Sequence, residues 1–304
     1  HSMGLDSLVY YKNGTPVSLV TPTVIPADQM AGQSDSTVGG DPQCDANDPI
    51  NACSGVFYLT TTDISVDAVG PELAFKRNYT SLLADTTKYA QTPLGPGWRH
   101  RFAERLTLSG QLGSEPITVI YEAATGNRYR FTDQGNGVYK GAIGVWATLA
   151  RANNIYTLTT TDQTKLLFDS SGRLTERQDA QGRKQQYTYN PTSSLPGSNQ
   201  LARVTDAVSQ RWLAFSYIAT PNGVRLATVT NPAQSITFTY NPAGNIQTMT
   251  DVGGGVVSYS YTNHRLETIS NPANPSGPPA LRNQYTNGQV TTQTEASGIV
   301  TTYA

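Results

Sequence analysis

The sequence predicts an all-β protein in which repetitive antiparallel β-hairpins form a curved, spiralling single-layer sheet. Apolar and small polar residues alternate along most of the second half, as expected for strands with one buried face. The 304 residues include 27 glycines and 18 prolines, which suits a chain that turns often. No long segment has helical periodicity, so a parallel sheet with crossover helices is disfavoured.

The alternation is sharpest after residue 156, where each unit consists of two short strands and two turns. The apolar face carries an aromatic stripe, made of Tyr187, Tyr189, Phe215, Tyr217, Phe238, Tyr240, Tyr259, Tyr261 and Tyr285. The alternate positions are mostly Thr, Ser, Gln or Asn, so one face of the sheet is aromatic and the other is polar.

An aromatic face of this size has to be covered, because burying one such side chain contributes about 1.5–3 kcal/mol. Similar hairpins stack into a quasi-one-dimensional array, and the twist of a sheet winds such an array into a spiral. We therefore expect the stripe on the concave side. A β-sandwich and a propeller are the alternatives, although the short repeat disfavours the propeller.

The first half divides into three parts. Residues 1–3 resemble a purification-tag remnant, and residues 4–43 form an N-terminal extension or linker rich in Asp, Gln, Ser and Gly. Residues 44–150 form a leading β segment, and residues 151–304 form the hairpin array. In the leading segment a turn made of Gly95, Pro96, Gly97 and Trp98 precedes a strand.

Cys44 and Cys53 are the two cysteines of the chain. They flank a loop rich in Pro, Asn and Asp, for which a disulfide is the favoured interpretation. Such a bond would indicate an oxidising compartment. Two unrelated thiols are the alternative interpretation.

Composition excludes several classes of function. Charged residues make up 14% of the chain and the net charge is −1, which gives no electrostatic footprint for nucleic acid. No apolar run reaches the roughly 18 residues of a membrane-spanning helix. The histidines do not stand at metal-ligand spacing from the cysteines. We therefore expect no nucleic-acid partner, no membrane insertion and no cofactor.

The sequence assigns no catalytic, binding or metal-ligating residue. His100 stands near Trp98 and Glu104, which could suggest acid–base chemistry. A Gly-Pro-Gly-Trp turn that leads into a strand is better explained by packing. No Ser, Cys or second His forms a recognisable triad with His100.

One stretch carries a family resemblance. FDSSGRLTERQDAQGRKQQYTYN, residues 168–190, resembles the YD repeat of RHS proteins: an aromatic-Asp pair, a Gly turn, a Leu, Asp-x-x-Gly and Tyr-x-Tyr. Residues 240–261 keep most of this pattern, with Asn241 in place of Asp. Residues 201–217 keep Thr-Asp and the last aromatic pair but have Ser209 in place of the second Gly.

The leading segment also resembles the region that precedes the repeats in many RHS proteins. DPINACSGVFYLTTTDISV, LAFKRNY and GPGWRHRF occur there in the expected order. The resemblance covers about residues 41–303, and the ordered combination is more specific than any single piece.

The resemblance implies a secreted or cell-surface bacterial protein whose spiralling β sheet forms part of a hollow shell. In that family the shell encloses a C-terminal toxin or effector segment. We therefore expect this chain to be a non-enzymatic structural module, whose partners are the remaining repeats and the C-terminal cargo of the same protein. The family's self-cleaving aspartyl region follows the last repeats, so no catalytic residue is carried over.

Two other functions stay open on the sequence alone. A carbohydrate-binding or adhesion module would use the aromatic stripe to stack on glycans. An enzyme with a dispersed site has little support beyond isolated polar residues.

Overall fold

The computed structural model describes residues 10–12, 15–17, 50–51, 55–87, 92–111, 116–270 and 272–303. The predicted disulfide of Cys44 and Cys53 lies outside the described residues, as does most of the predicted linker. Near the N-terminus, β1 (Tyr10–Lys12) and β2 (Thr15–Val17) form a small antiparallel pair.

A four-stranded antiparallel sheet follows, which we call the inner sheet. Its strands are β3 (Ile50–Asn51), β4 (Val56–Val66), β5 (Leu73–Thr80) and β6 (Trp98–His100), in that spatial order. A short 3-10 helix at Leu82–Ala84 lies between β5 and β6.

The remaining strands form one long antiparallel sheet, in which each strand pairs with the next along the chain. They are β7 (Arg105–Ser109), β8 (Thr118–Glu122), β9 (Arg128–Asp133), β10 (Val138–Gly141), β11 (Thr148–Ala152), β12 (Ile155–Thr159), β13 (Lys165–Phe168), β14 (Leu174–Gln178), β15 (Lys184–Tyr189), β16 (Leu201–Asp206), β17 (Trp212–Thr220), β18 (Gly223–Thr230), β19 (Ser235–Tyr240), β20 (Ile246–Thr250), β21 (Val256–Thr262), β22 (Arg265–Ile269), β23 (Leu281–Thr286), β24 (Gln289–Glu295) and β25 (Val300–Thr302).

The long sheet is open and it winds. Within the described residues no ladder of hydrogen bonds joins β25 to β7. Instead Arg105, at the start of β7, forms an isolated bridge with Arg173, just before β14. The amide of Leu106 donates to the carbonyl of Gly172 at 2.8 Å. This contact joins parts of the sheet that are seven strands apart, and the predicted all-β, spiralling antiparallel sheet is confirmed.

A β-bulge recurs in the hairpin array and gives the sheet curvature. The register shifts immediately before the last aromatic residue of each unit, at Phe168, Tyr189, Tyr217, Tyr240, Tyr261 and Tyr285. A bulge bends its strand and increases the local twist. Repetition of the same bulge therefore bends every unit of the array.

Polar residues fix the turns at both ends of the hairpin strands. The Asp169 carboxylate accepts hydrogen bonds from the amides of Ser171 and Arg173, at 2.9 and 3.0 Å. Gly172 in this turn has a φ of +81°, which a residue with a Cβ adopts only with strain. The same Asx-type turn recurs at Asp179, Asn241 and Asp251.

One hydrophobic core serves both sheets. It includes Phe57, Phe75 and Trp98 of the inner sheet together with Leu213 and Val229 of the long sheet. The inner sheet thus lies on the apolar face of the hairpin array. The aromatic stripe has a second layer of protein packed on it over these residues.

Candidate functional site at the inner sheet interface

The stripe residues differ in burial along each unit. Tyr187, Phe215, Phe238 and Tyr259 are buried. Their partners two residues later are partly buried and pack against the same core: Tyr189, Tyr217, Tyr240 and Tyr261, together with Tyr285 of the last complete unit. The aromatic side chains therefore belong to the interface between the two sheets.

Aromatic rings of the inner sheet and its exit loop fill this interface. The ring centroid of Phe75 lies 6.0 Å from that of Phe215 and 6.3 Å from that of Phe238. Trp98 meets Tyr259 edge-on at 5.6 Å. Phe102, which follows β6, lies 6.0 Å from Tyr187. Tilted and edge-on arrangements at these separations are the favourable ones for aromatic pairs.

Arg77 places a positive charge inside the interface. Its guanidinium donates two hydrogen bonds to the Asp63 carboxylate and one to the Tyr259 hydroxyl, the last at 3.2 Å. It also lies 4.8 Å from the ring centroid of Trp98 and 5.3 Å from that of Phe238. Burial alone would lower the pKa of Arg77, but Tyr259 and Asp63 raise it above its ordinary value. The guanidinium thus stays charged and links the two sheets.

The predicted Gly-Pro-Gly-Trp turn lies against the hairpin array. A Cβ atom on Gly95 would come within 2.4 Å of the Gly244 carbonyl oxygen, and one on Gly97 within 2.4 Å of the Tyr79 ring. The Trp98 indole Nε1 donates to the Tyr261 hydroxyl at 3.0 Å. Both glycines are therefore required by close approach as well as by their positive φ.

Four tyrosine hydroxyls each join a hairpin of the array to the preceding one. The Tyr189 hydroxyl donates to the Leu174 carbonyl at 2.8 Å, and the Tyr217 hydroxyl donates to the Leu201 carbonyl at 2.9 Å. Tyr240 reaches Leu226 at 2.7 Å and Tyr285 reaches Leu266 at 2.8 Å in the same way. Burial is the main cause that raises the pKa of each of these hydroxyls above its ordinary value, which keeps them protonated as donors.

One inner-sheet tyrosine extends this pattern. The Tyr79 hydroxyl accepts a hydrogen bond from the amide of Leu266 at 2.8 Å and donates to the His264 carbonyl at 3.3 Å. Tyr79 was not singled out by sequence reasoning, and neither was Arg77. Both are ordinary strand residues in the sequence, and only the meeting of the two sheets gives them partners.

His100 is enclosed by aromatic rings. Its ring centroid lies 5.5 Å from that of Phe75, 6.5 Å from that of Phe102 and 6.0 Å from that of Phe215. Burial, and secondarily the nearby Arg99 charge, lower the pKa of His100 to about 3. The imidazole is therefore neutral at ordinary pH, and its surroundings are those of a packed ring.

Glu104 binds Tyr121 and Arg177. Its carboxylate accepts a hydrogen bond from the Tyr121 hydroxyl at 2.6 Å and pairs with Arg177.

In the part of the chain that the structure describes, no group of three His, Cys, Asp or Glu side chains could hold a metal ion. Over the same residues, no helix is long and apolar enough to cross a membrane.

Two family models match the chain. A domain of unknown function, DUF6531, matches residues 47–131, and the RHS Repeat model matches residues 220–256. The first match covers the inner sheet and the start of the long sheet, and the second covers β18 to β20. The recognition of RHS/YD-repeat sequence is thereby confirmed.

Curated relatives carry nuclease names. The tRNA3(Ser)-specific nuclease WapA of Bacillus spizizenii is 32% identical over 147 residues, and the tRNA nuclease WapA of Bacillus subtilis (strain 168) is 31% identical over 147 residues. Each match covers 48% of this chain and 6% of the relative. The chain thus spans a small part of the relatives that it matches.

Similar solved structures include toxin assemblies. The crystal structure of TcdB2-TccC3-TEV aligns with 79% of this chain and 15% of its own, at 13% identity and a TM-score of 0.30. The Photorhabdus luminescens Tc holotoxin pore aligns with 81% of this chain and 17% of its own, at 12% identity and a TM-score of 0.28.

Proposed function

We propose that this RHS/YD-repeat protein is a non-enzymatic structural module that forms the opening turns of a β shell. The shell would enclose or present a C-terminal toxin or effector segment of a secreted or surface bacterial protein. The observation that carries the proposal is the inner sheet, which packs on the aromatic face of the hairpin array and is joined to it by buried polar contacts.

Contacts at three separated places on the long sheet support this role. The Val290 amide donates to the Gly55 carbonyl at 2.8 Å, and the Leu226 amide donates to the Pro93 carbonyl at 2.8 Å. The Tyr259 hydroxyl binds Arg77 between these two places. A sheet anchored at several points to one inner body has its curvature fixed from the start, which is what the opening turns of a shell require.

The burial of the aromatic stripe, and the bonds that its hydroxyls already form, favour the structural role over glycan binding. A glycan platform needs aromatic faces open to solvent, with polar groups free at their edges. Here Phe215, Phe238 and Tyr259 are covered by rings of the inner sheet, which meet them in tilted or edge-on contacts. The Tyr189 and Tyr217 hydroxyls already donate to carbonyls of the chain. A carbohydrate-binding or adhesion module is the alternative function.

Any toxic activity of the whole protein is proposed to lie outside these residues. The matched relatives are named as nucleases, but the matched part is 6% of their length. The interior of the described residues is mainly apolar and aromatic, and its buried histidine, His100, is packed among rings. The proposal therefore assigns this chain to enclosure and assigns the chemistry to the enclosed segment.

Protease protection in the full-length protein tests the enclosing role. The C-terminal segment should resist digestion while the shell is folded and become sensitive when urea unfolds the shell. Rapid digestion of that segment in the fully folded protein would contradict the proposal.

A glycan panel tests the alternative. The folded chain is screened in parallel with its Tyr259→Ser variant. The structural proposal predicts no specific binding by either protein. Specific binding that is lost in the variant would favour the adhesion module instead.

A further inference from the structure

Three arginines converge on one carboxylate at the rim of the inner sheet. Glu122 ends β8, and its neighbours across the ladders are Arg105 on β7 and Arg128 at the start of β9. Arg99 of β6 reaches the same carboxylate from the inner sheet. We call these four residues the arginine cluster.

The geometry of the cluster is tight. Glu122 Oε2 lies 2.7 Å from Arg105 Nε and 3.5 Å from Arg99 Nη1, and Oε1 lies 3.3 Å from Arg128 Nε. Within the part of the chain that the structure describes, Glu122 is the one carboxylate that forms an ion pair with any of these three arginines. Among the described residues, three positive charges therefore share a single negative charge, which gives the cluster a net positive charge.

Two N–H donor groups of the cluster have no hydrogen-bond partner among the described residues. Arg99 is 5% exposed, and its Nε has no hydrogen-bond partner among the described residues. The Arg128 Nε lies within ion-pair distance of Glu122 but is not aligned for a hydrogen bond. A buried guanidinium without a partner for its donors is unfavourable. The cluster thus has excess positive charge, and two of its Nε donors are unpaired and buried from solvent.

The cluster opens to solvent at two of its members. The side chain of Arg105 is 48% exposed and that of Arg128 is 22% exposed. A small ligand can therefore approach these two guanidinium groups, while Arg99, which is buried, adds its charge from behind them.

We propose that Arg105 and Arg128, with the buried charge of Arg99 behind them, form a binding site for a tetrahedral oxyanion of the phosphate or sulfate class. Planar guanidinium groups present several donors in a fixed fork that matches the oxygens of such an anion. Glu122 holds the three forks near one another, and the anion neutralises the charge that Glu122 leaves unbalanced. This site is separate from the aromatic interface and goes beyond the proposed structural role.

Sequence reasoning missed this site because its members are separated along the chain. Arg99, Arg105 and Arg128 lie in three different strands, and none belongs to a basic run. The average charge of the chain, with a net value of −1, hides a local positive cluster.

Binding of inorganic phosphate to the folded chain tests the proposal. Thermal unfolding is followed while sodium phosphate is added, with sodium chloride at equal ionic strength as the reference. A ligand that binds the folded state raises the unfolding temperature by an amount that grows with the logarithm of its concentration relative to Kd. Screening acts equally in both salts, but phosphate also stabilises folded proteins generally because it is excluded from their surface. The specific effect is therefore the part of the rise that the Arg105→Gln variant loses and the Arg183→Gln variant keeps.

Variants locate the site. Arg105→Gln removes a half-exposed fork and should weaken phosphate binding about tenfold or more, since it removes a charge-assisted contact. Arg183→Gln is the matched control. Arg183 is also about half exposed and also pairs with one carboxylate, but in a distant turn. The control variant should bind phosphate as tightly as the parent.

Two further arms complete the experiment. Equal binding of methyl phosphate and inorganic phosphate would indicate a phosphate group carried on a larger molecule, whereas binding of inorganic phosphate alone would indicate the free ion. The proposal is overturned if phosphate and chloride have the same effect at equal ionic strength. It is also overturned if Arg105→Gln binds phosphate as tightly as the parent.

Discussion

Arg77 shows how a single residue joins the two sheets. It is fully buried, as is the Asp63 carboxylate that it binds, and aromatic rings from both sheets surround it. The sequence could not identify it, because LAFKRNY reads as an ordinary strand with two adjacent basic residues. Whether such an arginine is exposed or buried depends on what packs on the strand, which periodicity does not reveal.

Replacement of Arg77 should be strongly destabilising. Arg77→Met leaves the Asp63 carboxylate buried without its partner, and breaking a buried ion pair in this way costs about 3–5 kcal/mol. Urea unfolding measures the loss. The double variant Arg77→Met/Asp63→Leu should regain most of it, because no unpaired charge remains. A single variant within about 0.5 kcal/mol of the parent would contradict this role of Arg77.

His100 should give the fold a measurable sensitivity to acid. Its pKa is about 3 in the folded chain, against an ordinary value of 6.5. Below pH 6.5 the unfolded chain therefore binds a proton that the folded chain does not. Stability should fall by about 1.4 kcal/mol per pH unit from this group as pH is lowered from 6.5 to 3, with no contribution above about pH 7.5.

The variant His100→Phe isolates this contribution. A phenyl ring suits the surrounding aromatic side chains and does not titrate. Between pH 7.5 and pH 5.0 the parent should lose about 2 kcal/mol more unfolding free energy than the variant. Equal losses in the two proteins, measured by urea unfolding at both pH values, would show that His100 is not buried in its neutral form.

The hairpin is the element on which the array is built, and much of it was readable from the sequence. Apolar residues two positions apart indicated the strands, and Asp-x-x-Gly indicated the turns. The bulge before each last aromatic residue was not predicted, because a bulge depends on the register of two strands. The bonds from Tyr hydroxyls to earlier leucine carbonyls were missed for the same reason.

A tyrosine hydroxyl should stabilise the array more than an exposed hydroxyl on the same strand. Tyr217→Phe removes the bond to the Leu201 carbonyl and leaves that carbonyl without its donor, which costs about 1–2 kcal/mol. Ser216→Ala is the control, since its hydroxyl bonds Thr228 on the exposed face. Unfolding free energies that change equally in the two variants would argue against the hydroxyl bond as a link between hairpins.

The contact between successive turns of the spiral can be tested at a glycine. Gly172 and Gly254 have φ values of +81° and +85°, so alanine is strained at either position. A Cβ on Gly172 would also lie 2.1 Å from the Leu106 carbonyl oxygen, whereas Gly254 has nothing within 4 Å. Gly254→Ala should lose about 1–2 kcal/mol, and Gly172→Ala should lose clearly more. Similar losses would indicate that the 172 turn does not touch β7.

For the molecule as a whole, the sequence predicted the spiral but not what lies on its concave face. Alternation of apolar and polar residues shows which face of a strand is apolar. It does not show which other part of the protein packs on that face. Residues 44–150 were therefore expected to precede the array as a separate segment, whereas the described core extends from Ile50 to Val290 without a break. The division at residue 150 stays a prediction, and the long sheet itself begins at β7.

The central claim is that the inner sheet and the hairpin array form one packed body. Trp98 tests it well, because its ring is buried against Tyr259 and its indole nitrogen binds the Tyr261 hydroxyl. Trp98→Phe removes the hydrogen bond and part of the ring while keeping an aromatic side chain. Trp146→Phe is the control, since Trp146 is 80% exposed.

Amide hydrogen exchange of the intact chain, read by mass spectrometry, is the most direct measurement. If the account is right, Trp98→Phe speeds exchange in β21 and β22, more than 150 residues away in sequence, as well as in β5 and β6, while Trp146→Phe leaves these strands unchanged. Faster exchange confined to β5 and β6 would contradict the account, because the hairpin array would then fold without the support of the inner sheet.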